Sequence, residues 1–452
     1  MKRMKIGCIV IGIELSYTPE ERKNVDLNLQ KSDNLRTKID STIVSKACEA
    51  VKKAIPENCD FFCAHASSEN DAIDLPDADV YVAVPFAASD IVYSVLYSKN
   101  KPVVISVPPY KDIWSYGAVF FPYFVRDVRK IDEILGLKNQ VFVSKNTENL
   151  RAILEALLVK YRINHTTALC IGEVMYEPYH SWNWGYEMIR AIQEKFGIRF
   201  RHISSEKFLK TFENWSGEFD EGTLLKEINN NRLNAEQNIG NVEKMYHIFK
   251  QLIRENEADI FTVNCLYSVI HTGCKATACY ALSKLNDEGI VATCEADITT
   301  MINMLIVSCV SGSPAFMLNP YLFPEDNVLF ASHCTSPRKH SFSDTALDDI
   351  NIYPYFEMPE FPCGMQIIKK AGPVTVTGLS HDKMDEMIII RGNIIRNTTF
   401  PSCRTQIELS IEGDIKEVSE LYQGRHWALI YGDYSKKLEL TNKILGINSK
   451  IF

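Results

Sequence analysis

The amino-acid sequence predicts an α/β fold, with two doubly wound parallel-sheet domains followed by a C-terminal, mainly β domain of barrel-like type. Three observations indicate it. Continuous Val/Ile runs alternate with helical stretches in the first third of the chain; this alternation restarts near residue 166; and short strands divided by Gly, Asn, Asp and Pro follow residue 311. In a chain of 452 residues, longer than one core usually supports, we expect domains at 1–165, 166–310 and 311–452.

The first domain opens with the apolar run KIGCIVIG, which predicts a buried strand. The preceding basic residues imitate a secretory signal, but the run is short and meets Glu14 without a small-residue cleavage site, which favours a strand. Further strands are predicted at CDFFCAH, DVYVAVPF and KPVVISVP, and helices near 40–54, 89–97 and 147–161.

The second domain repeats this pattern. Its predicted strands are TALCIGEV, IRFRHIS, ADIFTVN and GIVATCEAD, with helices near 184–196, 241–256 and 276–285. Neither domain carries a G-x-G-x-x-G or G-x-x-x-x-G-K-[ST] motif after its first strand, so the sequence gives nucleotide binding no support.

The third domain contains the short β-runs NVLFASHC, MQIIKKAGPVTVTGLS, EMIIIRGNIIRN and RTQIELSIEG, and we expect a closing helix near 434–445. The segment Ser336–Pro362, with SPRKHSFSD and YPYFEMPEFP, is predicted to be a long loop. Long loops inside compact folds are often functional.

Composition narrows the class of protein. Hydrophobic residues make up 46% and charged residues 23%, as in soluble globular proteins. A net charge of -8 without a Lys/Arg block disfavours nucleic acid, and no stretch has the roughly 20 apolar residues of a membrane span. The thirteen cysteines show no C-x2-C pair or repeated zinc-ligand spacing, so we expect a reduced, cytoplasmic protein with buried structural thiols.

Two carboxylates stand out in VATCEADITTMINML, because they directly follow an apolar strand. Ligand sites of open α/β sheets lie at the carboxyl ends of strands, where Glu295 and Asp297 fall. Asp297 is also explained as the N-cap of the following helix. Glu295 has no such structural explanation, although a buried ion pair is an alternative.

Two histidines offer partners for these carboxylates. His333 lies in FASHCTSP and His426 in GRHWALIYGDY, each beside β-forming residues. Either can be an ordinary core or surface residue, whereas imidazole together with a carboxylate suits manganese or zinc. Trp182 and Trp184 can stack on a ligand or pack a domain interface. Arg338 and Lys339 can hold an anionic group or be solvated loop charges.

Several blocks in order between about residues 258 and 446 resemble the L-fucose isomerase and L-arabinose isomerase family, in particular its shorter fucose-isomerase-like branch. The blocks are LSKLNDEGIVATCEADITTMINMLI, GSPAFMLN, HCTSP, SCRTQIEL and GRHWALIYGDYSKKLELTNKILGI. The resemblance implies a divalent-metal aldose–ketose isomerase, commonly manganese-dependent, that acts on an open-chain sugar. The first half of the chain resembles the family only in its two α/β domains.

The resemblance also implies a ligand set. The Glu at a strand end falls on Glu295, the acidic residue of the next strand falls on Asn319, and the His near the C-terminus falls on His426. Asn319 departs from the family, because an amide brings no negative charge and cannot act as a base. The family's H-C-G likewise reads His333, Cys334 and Thr335 here.

The implied mechanism assigns roles to these residues. The metal, Mn²⁺ or another divalent ion, polarises the carbonyl and stabilises an ene-diolate. Glu295 moves the proton between C1 and C2, Asp297 is a second acid/base group unless it is only a cap, and His333 orients hydroxyls. We expect a pentose, 6-deoxyhexose or anionic hexose derivative as substrate, and a homo-oligomer, trimer or hexamer.

Two alternatives stay open. The first is a non-catalytic sugar-binding or regulatory relative whose metal site is degenerate at Asn319. The second keeps metal and ene-diol chemistry but makes a different product, for example by epimerisation.

Overall fold

The chain divides into two compact units, Met1–Tyr161 and Arg162–Phe452. The structure, a computed structural model, describes residues 3–14, 38–39, 41–86, 98–106, 140–174, 182–220, 222–233, 239–266, 273–421 and 424–452, with single residues 95, 126, 130, 133, 134, 136 and 269. The expected fold class is confirmed, with parallel-sheet α/β architecture followed by an antiparallel barrel. The boundaries of the three expected domains stay a prediction.

The first unit contains a five-stranded parallel sheet. Its elements, the last of which runs into the second unit, are β1 (Met4–Ile11), β2 (Ile13–Glu14), β3 (Lys38–Ile39), α1 (Ser41–Lys52), β4 (Cys59–Ala66), α2 (Glu69–Ile73), β5 (Val80–Pro85), β6 (Val103–Ser106), β7 (Val141–Ser144) and α3 (Thr147–Asn164). The strand order is β4-β1-β5-β6-β7. Buried aliphatic side chains such as Ile9, Ile11 and Ile105 form its core, as the Val/Ile runs predict. The helix expected near 89–97 lies mostly outside the described residues.

One cysteine pair differs from the expectation of reduced thiols. Cys48 of α1 and Cys63 of β4 form a disulfide, with their Cα atoms 6.0 Å apart. The other eleven cysteines are thiols outside any disulfide, and most of them are buried. The prediction of buried structural thiols therefore holds for most of the cysteines and is wrong for this pair.

The second unit begins with a four-stranded parallel sheet in the order β12-β11-β8-β9. Its elements are β8 (Thr167–Ile171), α4 (Trp182–Phe196), β9 (Arg199–Ile203), α5 (Ser205–Asn214), α6 (Thr223–Glu227), β10 (Asn230–Asn231), α7 (Ile239–Glu255), β11 (Ile260–Val263), α8 (Cys279–Asp287) and β12 (Val291–Thr293). Because β12 ends at Thr293, Glu295 lies just beyond the carboxyl end of this strand, at the edge of the sheet, as expected from the sequence.

The remaining elements build a closed barrel and a small separate sheet. They are α9 (Ile298–Ser311), β13 (Phe316–Phe323), β14 (Val328–His333), β15 (Ile350–Pro354), β16 (Pro362–Ile367), β17 (Gly372–Leu379), β18 (Glu386–Asn397), β19 (Thr405–Ile411), α10 (Ile415–Glu420), β20 (Trp427–Tyr431), α11 (Ser435–Leu445) and β21 (Asn448–Ile451). Six strands follow the antiparallel order β17-β20-β13-β14-β19-β18, and pairing of β17 with β18 closes the ring.

The segment expected to be a long loop, Ser336–Pro362, contains a strand. Its β15 pairs with β16 and with β10 in a three-stranded sheet. Ile350 and Ile352 alternate inward and are fully buried, so the period-2 pattern of a strand was present in a polar-looking segment.

Helix α9 positions the functional residues. It packs on β11 and β12 of the parallel sheet and on β17 and β20 of the barrel. All residues from Ile298 to Ser308 are buried, as expected for a helix covered on both sides. Its N-terminus therefore lies where the edge of the sheet meets the barrel.

None of the helices in the described part of the chain has the length and apolar character of a membrane span.

Candidate metal centre

The turn between β12 and α9 has an unusual backbone. Glu295 and Ala296 both adopt left-handed conformations, with φ of 60° and 52°. A left-handed backbone costs roughly 1–2 kcal/mol for each residue other than glycine, relative to the right-handed conformation. The Ala296 N–H donates to the carbonyl of Val263 at 2.9 Å, which ties the turn to the end of β11. Strain of this kind concentrates at functional sites.

Three side chains that are far apart in sequence meet beside this turn. The ligand atoms of Glu295, His333 and His426 all lie within 4.8 Å of one another. Glu295 Oε1 is 3.7 Å from His426 Nε2 and 3.9 Å from His333 Nε2. Both histidines are only 2% exposed, and their rings meet edge to face with centroids 5.2 Å apart.

The two imidazoles use one nitrogen each for support. His426 Nδ1 lies 2.8 Å from Asp297 Oδ2, and His333 Nδ1 lies 2.9 Å from Thr335 Oγ1. Both Nε2 atoms are buried and have no hydrogen-bond partner among the described residues. Histidine ligands of metals commonly hydrogen-bond through their other ring nitrogen, so this donor set fits a divalent metal ion.

Neighbouring charges set the ionisation of the cluster. Burial alone would raise the pKa of Glu295, but the charge of His426, the nearby ring nitrogens of both histidines and the charge of Arg425 hold that pKa well below its usual value. Arg425 Nη1 lies 3.0 Å from Glu295 Oε2. Burial opposes charge on His426 too, yet Glu295 and Asp297 raise its pKa to about 9. Glu295 is therefore an ionised carboxylate. A divalent ion would have to displace the Nε2 proton of His426 to bind there, so metal binding should release a proton.

Asp297 is the N-cap of α9, as the sequence indicated. Its Oδ1 accepts from the Thr300 N–H at 2.8 Å, while Oδ2 accepts from the Thr300 hydroxyl and faces His426 Nδ1. Burial would raise the pKa of Asp297, but the hydrogen bond with His426, the charges of His381 and His426 and the Thr300 N–H lower it to about 2. Asp297 is thus placed to orient His426, and the acid/base role expected for it stays a prediction that this geometry does not favour.

A cavity of about 290 Å³ opens in front of Glu295. Its volume is near the lower end of ligand pockets, which suits a small molecule. Asn319 of β13 lines it together with Glu295 and His333. The structure therefore brings all the sequence-predicted ligands to one region, since His426 contacts Glu295 from the barrel side.

Five cysteines also line this cavity: Cys265, Cys279, Cys294, Cys334 and Cys403. Cys265 Sγ and Cys294 Sγ are 2.9 Å apart. Hydrogen bonds from Cys279 and Cys403 lower the pKa of the Cys334 thiol, whereas the pKa values of those two partners are raised. The scattered cysteine positions gave no sign of this shared wall.

Sequence reasoning missed other residues of the site. Thr335 supports His333 through its hydroxyl, which the glycine of the family's H-C-G could not do. The threonine in place of that glycine was the one feature of the sequence that could have pointed to this contact. Arg425, Tyr355 and Glu357 line the cavity. Arg425 is next to His426 in the sequence, and the other two lie in the segment 336–362, which was expected to be functional only as a whole.

The anion-binding role considered for Arg338 and Lys339 is not supported by their contacts. Arg338 Nη1 lies 2.9 Å from Glu227 Oε2, and the backbone N–H groups of Arg338 and Lys339 both donate to Asp287. This side of the segment is thus fastened to α6 and α8, and neither residue is among the described lining of the cavity. Trp182 and Trp184 begin α4, but their side chains lie outside the described part of the chain.

Comparison with known proteins finds no family model that matches the chain. Two curated relatives, both named sulfoquinovose isomerase, come from Priestia aryabhattai and Priestia megaterium. Each is 23% identical over 209 residues, which cover 45% of this chain and 46% of the relative. The match thus spans about half the length of the curated relatives.

One solved structure, titled "Structure of probable two-component system response regulator/GGDEF domain protein", is 11% identical. The alignment covers 57% of this chain and 82% of that one, with a TM-score of 0.23. A likeness this low bears on neither fold nor function. At the level of sequence, the similarity is to proteins named sulfoquinovose isomerase.

Proposed function

We propose that the protein is a divalent-metal-dependent aldose–ketose isomerase that acts on an open-chain sugar. The observation that carries this proposal is the pair of unpartnered, buried Nε2 atoms of His333 and His426 beside the Glu295 carboxylate. They lie at a cavity suited to a small ligand. The similarity to two sulfoquinovose isomerases supports the same reaction class.

Glu295, His333 and His426 would hold the metal, Mn²⁺ or another divalent ion, and the Asn319 carbonyl oxygen is available beside them. When bound, such an ion polarises a sugar carbonyl and stabilises the negative charge of an ene-diolate. Asp297 and Thr335 keep the two imidazoles turned so that both Nε2 atoms face Glu295.

Glu295 takes the proton from C2 of the open-chain aldose and returns it to C1. Its ionised state suits the first step, and Arg425 fixes the second carboxylate oxygen at 3.0 Å. The left-handed turn at Glu295 and Ala296 holds the carboxylate at the edge of the sheet, so little reorganisation is needed during the reaction.

The substrate stays open among pentoses, 6-deoxyhexoses and anionic hexose derivatives. The names of the relatives favour an anionic sugar. Arg425 is the one Lys or Arg side chain in the described lining of the cavity, so an anionic group would meet it. Assembly as a homo-oligomer, trimer or hexamer, stays a prediction of the family resemblance.

A second candidate is a non-catalytic sugar-binding or regulatory protein. Asn319 favours it, because the cavity wall carries an amide where the resembled family has an acid. Such a protein would bind sugar without exchanging its carbon-bound protons.

Proton exchange in D2O tests the proposal. Pentoses, 6-deoxyhexoses, and sulfonated or phosphorylated hexoses are incubated with the protein and Mn²⁺, and NMR follows deuterium at C1 and C2. We expect exchange and isomer formation with at least one class, abolished by EDTA and by Glu295→Gln. Absence of exchange on every sugar, in folded protein with Mn²⁺ bound, would favour the binding protein.

A further inference from the structure

Aldose–ketose conversion moves two protons, and the site described so far handles one. One proton passes from C2 to C1, and the other passes from the hydroxyl O2 to the carbonyl oxygen O1. Glu295 accounts for the carbon-bound proton under the proposed function, on which this inference rests. The hydroxyl proton needs an acid/base group of its own within hydrogen-bond reach of both oxygens.

The two residues expected to fill that role do not fit it. Asn319 lines the cavity, but its amide neither accepts nor releases a proton near neutral pH. Asp297 is 7% exposed, and its two oxygens face Thr300 and His426. It is also not among the described residues that line the cavity.

A tyrosine–glutamate pair lies on the same cavity. Tyr355 and Glu357 follow β15 in the segment that the sequence marked as a functional loop. The Tyr355 hydroxyl donates to Glu357 Oε2 at 3.0 Å. The Tyr355 N–H donates to the carbonyl of Phe361 at 2.9 Å, which closes the turn that carries both side chains.

The pair lines the same cavity as the catalytic carboxylate. The hydrogen bond to Cys334 and burial raise the pKa of the Cys403 thiol, and the charges of Glu295 and Glu357 both add to that effect. Cys403 lines the cavity together with both carboxylates. Burial also raises the pKa of Tyr355, which leaves the phenol as a permanent donor.

We propose that Glu357 carries the hydroxyl proton between O2 and O1 of the sugar, and that Tyr355 positions it. The O2–H bond breaks as the Glu357 carboxylate takes the proton; that Glu357 O–H bond then breaks as O1–H forms. The residue returns to its starting state, so no co-reactant is needed. Tyr355 occupies Oε2, which leaves Oε1 for the substrate.

The two proton transfers can be separated by experiment. Without a carrier for the hydroxyl proton, the ene-diolate can still be reprotonated at C2, but it cannot become the isomer. Glu357→Gln should lower isomer formation by about 10²-fold or more, while deuterium uptake at C2 of the recovered aldose stays within about threefold of wild type. NMR in D2O reports both quantities in one sample.

Glu360→Gln is the matched control, because Glu360 is an exposed glutamate of the same turn outside the described cavity lining. It should leave both rates unchanged, and Glu357→Asp should restore part of the isomerisation. Tyr355→Phe keeps the ring and removes the positioning hydrogen bond. It should lower isomerisation about tenfold with exchange retained, and it decides the matter if Glu357→Gln does not fold.

Three results would overturn the inference. Isomerisation at the wild-type rate in Glu357→Gln would show that another group carries the proton. Equal loss of exchange and isomerisation would show that Glu357 acts at carbon or only on folding. For Tyr355→Phe, unchanged isomerisation would remove its positioning role. If the wild-type protein exchanges no sugar, the proposed function has failed, and this inference fails with it.

Discussion

Two largely buried clusters of the second unit combine imidazole with carboxylate, and they differ in whether every polar atom has a hydrogen-bond partner. The cavity cluster is Glu295, His333 and His426; the loop cluster is His340, Asp348 and Lys369. In the loop cluster, Asp348 Oδ2 lies 2.8 Å from His340 Nε2 and 3.3 Å from Lys369 Nζ. Within the described part of the chain, every buried polar side-chain atom of the loop cluster has a hydrogen-bond partner. In the cavity cluster, both histidine Nε2 atoms are buried and have none.

The hydrogen bonds and ion pairs of the loop cluster hold two segments of the chain together. Burial would raise the pKa of Asp348, but the hydrogen bond from His340 and the charge of Lys369 lower it. The Lys369 ammonium also donates to the carbonyl of Pro337, and Arg338 Nε donates to that of Asp348 at 2.9 Å. These contacts fasten the segment after β14 to the end of β16, so the cluster is structural.

Histidine and carboxylate side chains therefore have a structural role where every donor and acceptor has a partner. A histidine can bind a ligand where one ring nitrogen has a hydrogen-bond partner and the other ring nitrogen has none. The predictions that follow test this difference, from the largest expected effect to the smallest.

Glu295→Gln should give the largest loss. It removes the base and the only carboxylate of the cavity cluster, so we expect isomerisation to fall about 10⁴-fold. The melting temperature should stay within a few degrees of wild type, because Gln keeps the shape of the side chain. Turnover within tenfold of wild type, followed by NMR, would remove Glu295 from the mechanism.

Asp348→Ala should act on stability instead. It leaves Lys369 buried without its counter-charge, so the free energy of unfolding should fall by about 3–5 kcal/mol. Because the pKa of Asp348 is lowered in the folded protein, its contribution is complete above the ordinary value of 3.8 and is lost on further acidification.

Urea denaturation measures this loss, with the exposed Asp326→Ala as control. Mn²⁺ binding by the folded variant should be unchanged. A loss below about 1 kcal/mol would show that the loop cluster is not the structural fastening inferred from its geometry.

The sequence predicted those features of the fold and the site that depend on residues close together in the chain. Runs such as KIGCIVIG and the N-cap Asp297 predicted strands and a helix start, because burial and capping depend on neighbours in the chain. The convergence of Glu295 and His426 followed only from the family resemblance. Thr335, Tyr355 and Glu357 were missed as site residues, since their contacts depend on how distant segments pack.

Asp297→Asn should have an intermediate effect. Asn can still cap α9, but it weakens the support of His426, so we expect Mn²⁺ affinity to fall about 10–100-fold. Asp414→Asn is the matched control, because Asp414 caps α10 and is not among the described residues that line the cavity. Isothermal titration measures both; equal affinities in the two variants would mean that Asp297 only caps its helix.

Asn319→Asp should have the smallest effect and the opposite sign. It adds the carboxylate found in the resembled family, so divalent-metal affinity should rise about tenfold. Asn393→Asp, an exposed position on β18, supplies the same charge elsewhere on the barrel. An unchanged affinity in Asn319→Asp would place residue 319 outside the ligand set, although it lines the cavity.

Titration with Mn²⁺, monitored by electron paramagnetic resonance of the free ion, tests the central claim most directly. It compares wild type with His426→Ala from the cavity cluster and His340→Ala from the loop cluster. We predict one tightly bound Mn²⁺ per chain in wild type and in His340→Ala, and its loss in His426→Ala. Equal binding by the two variants, or none by folded wild-type protein, would contradict the account.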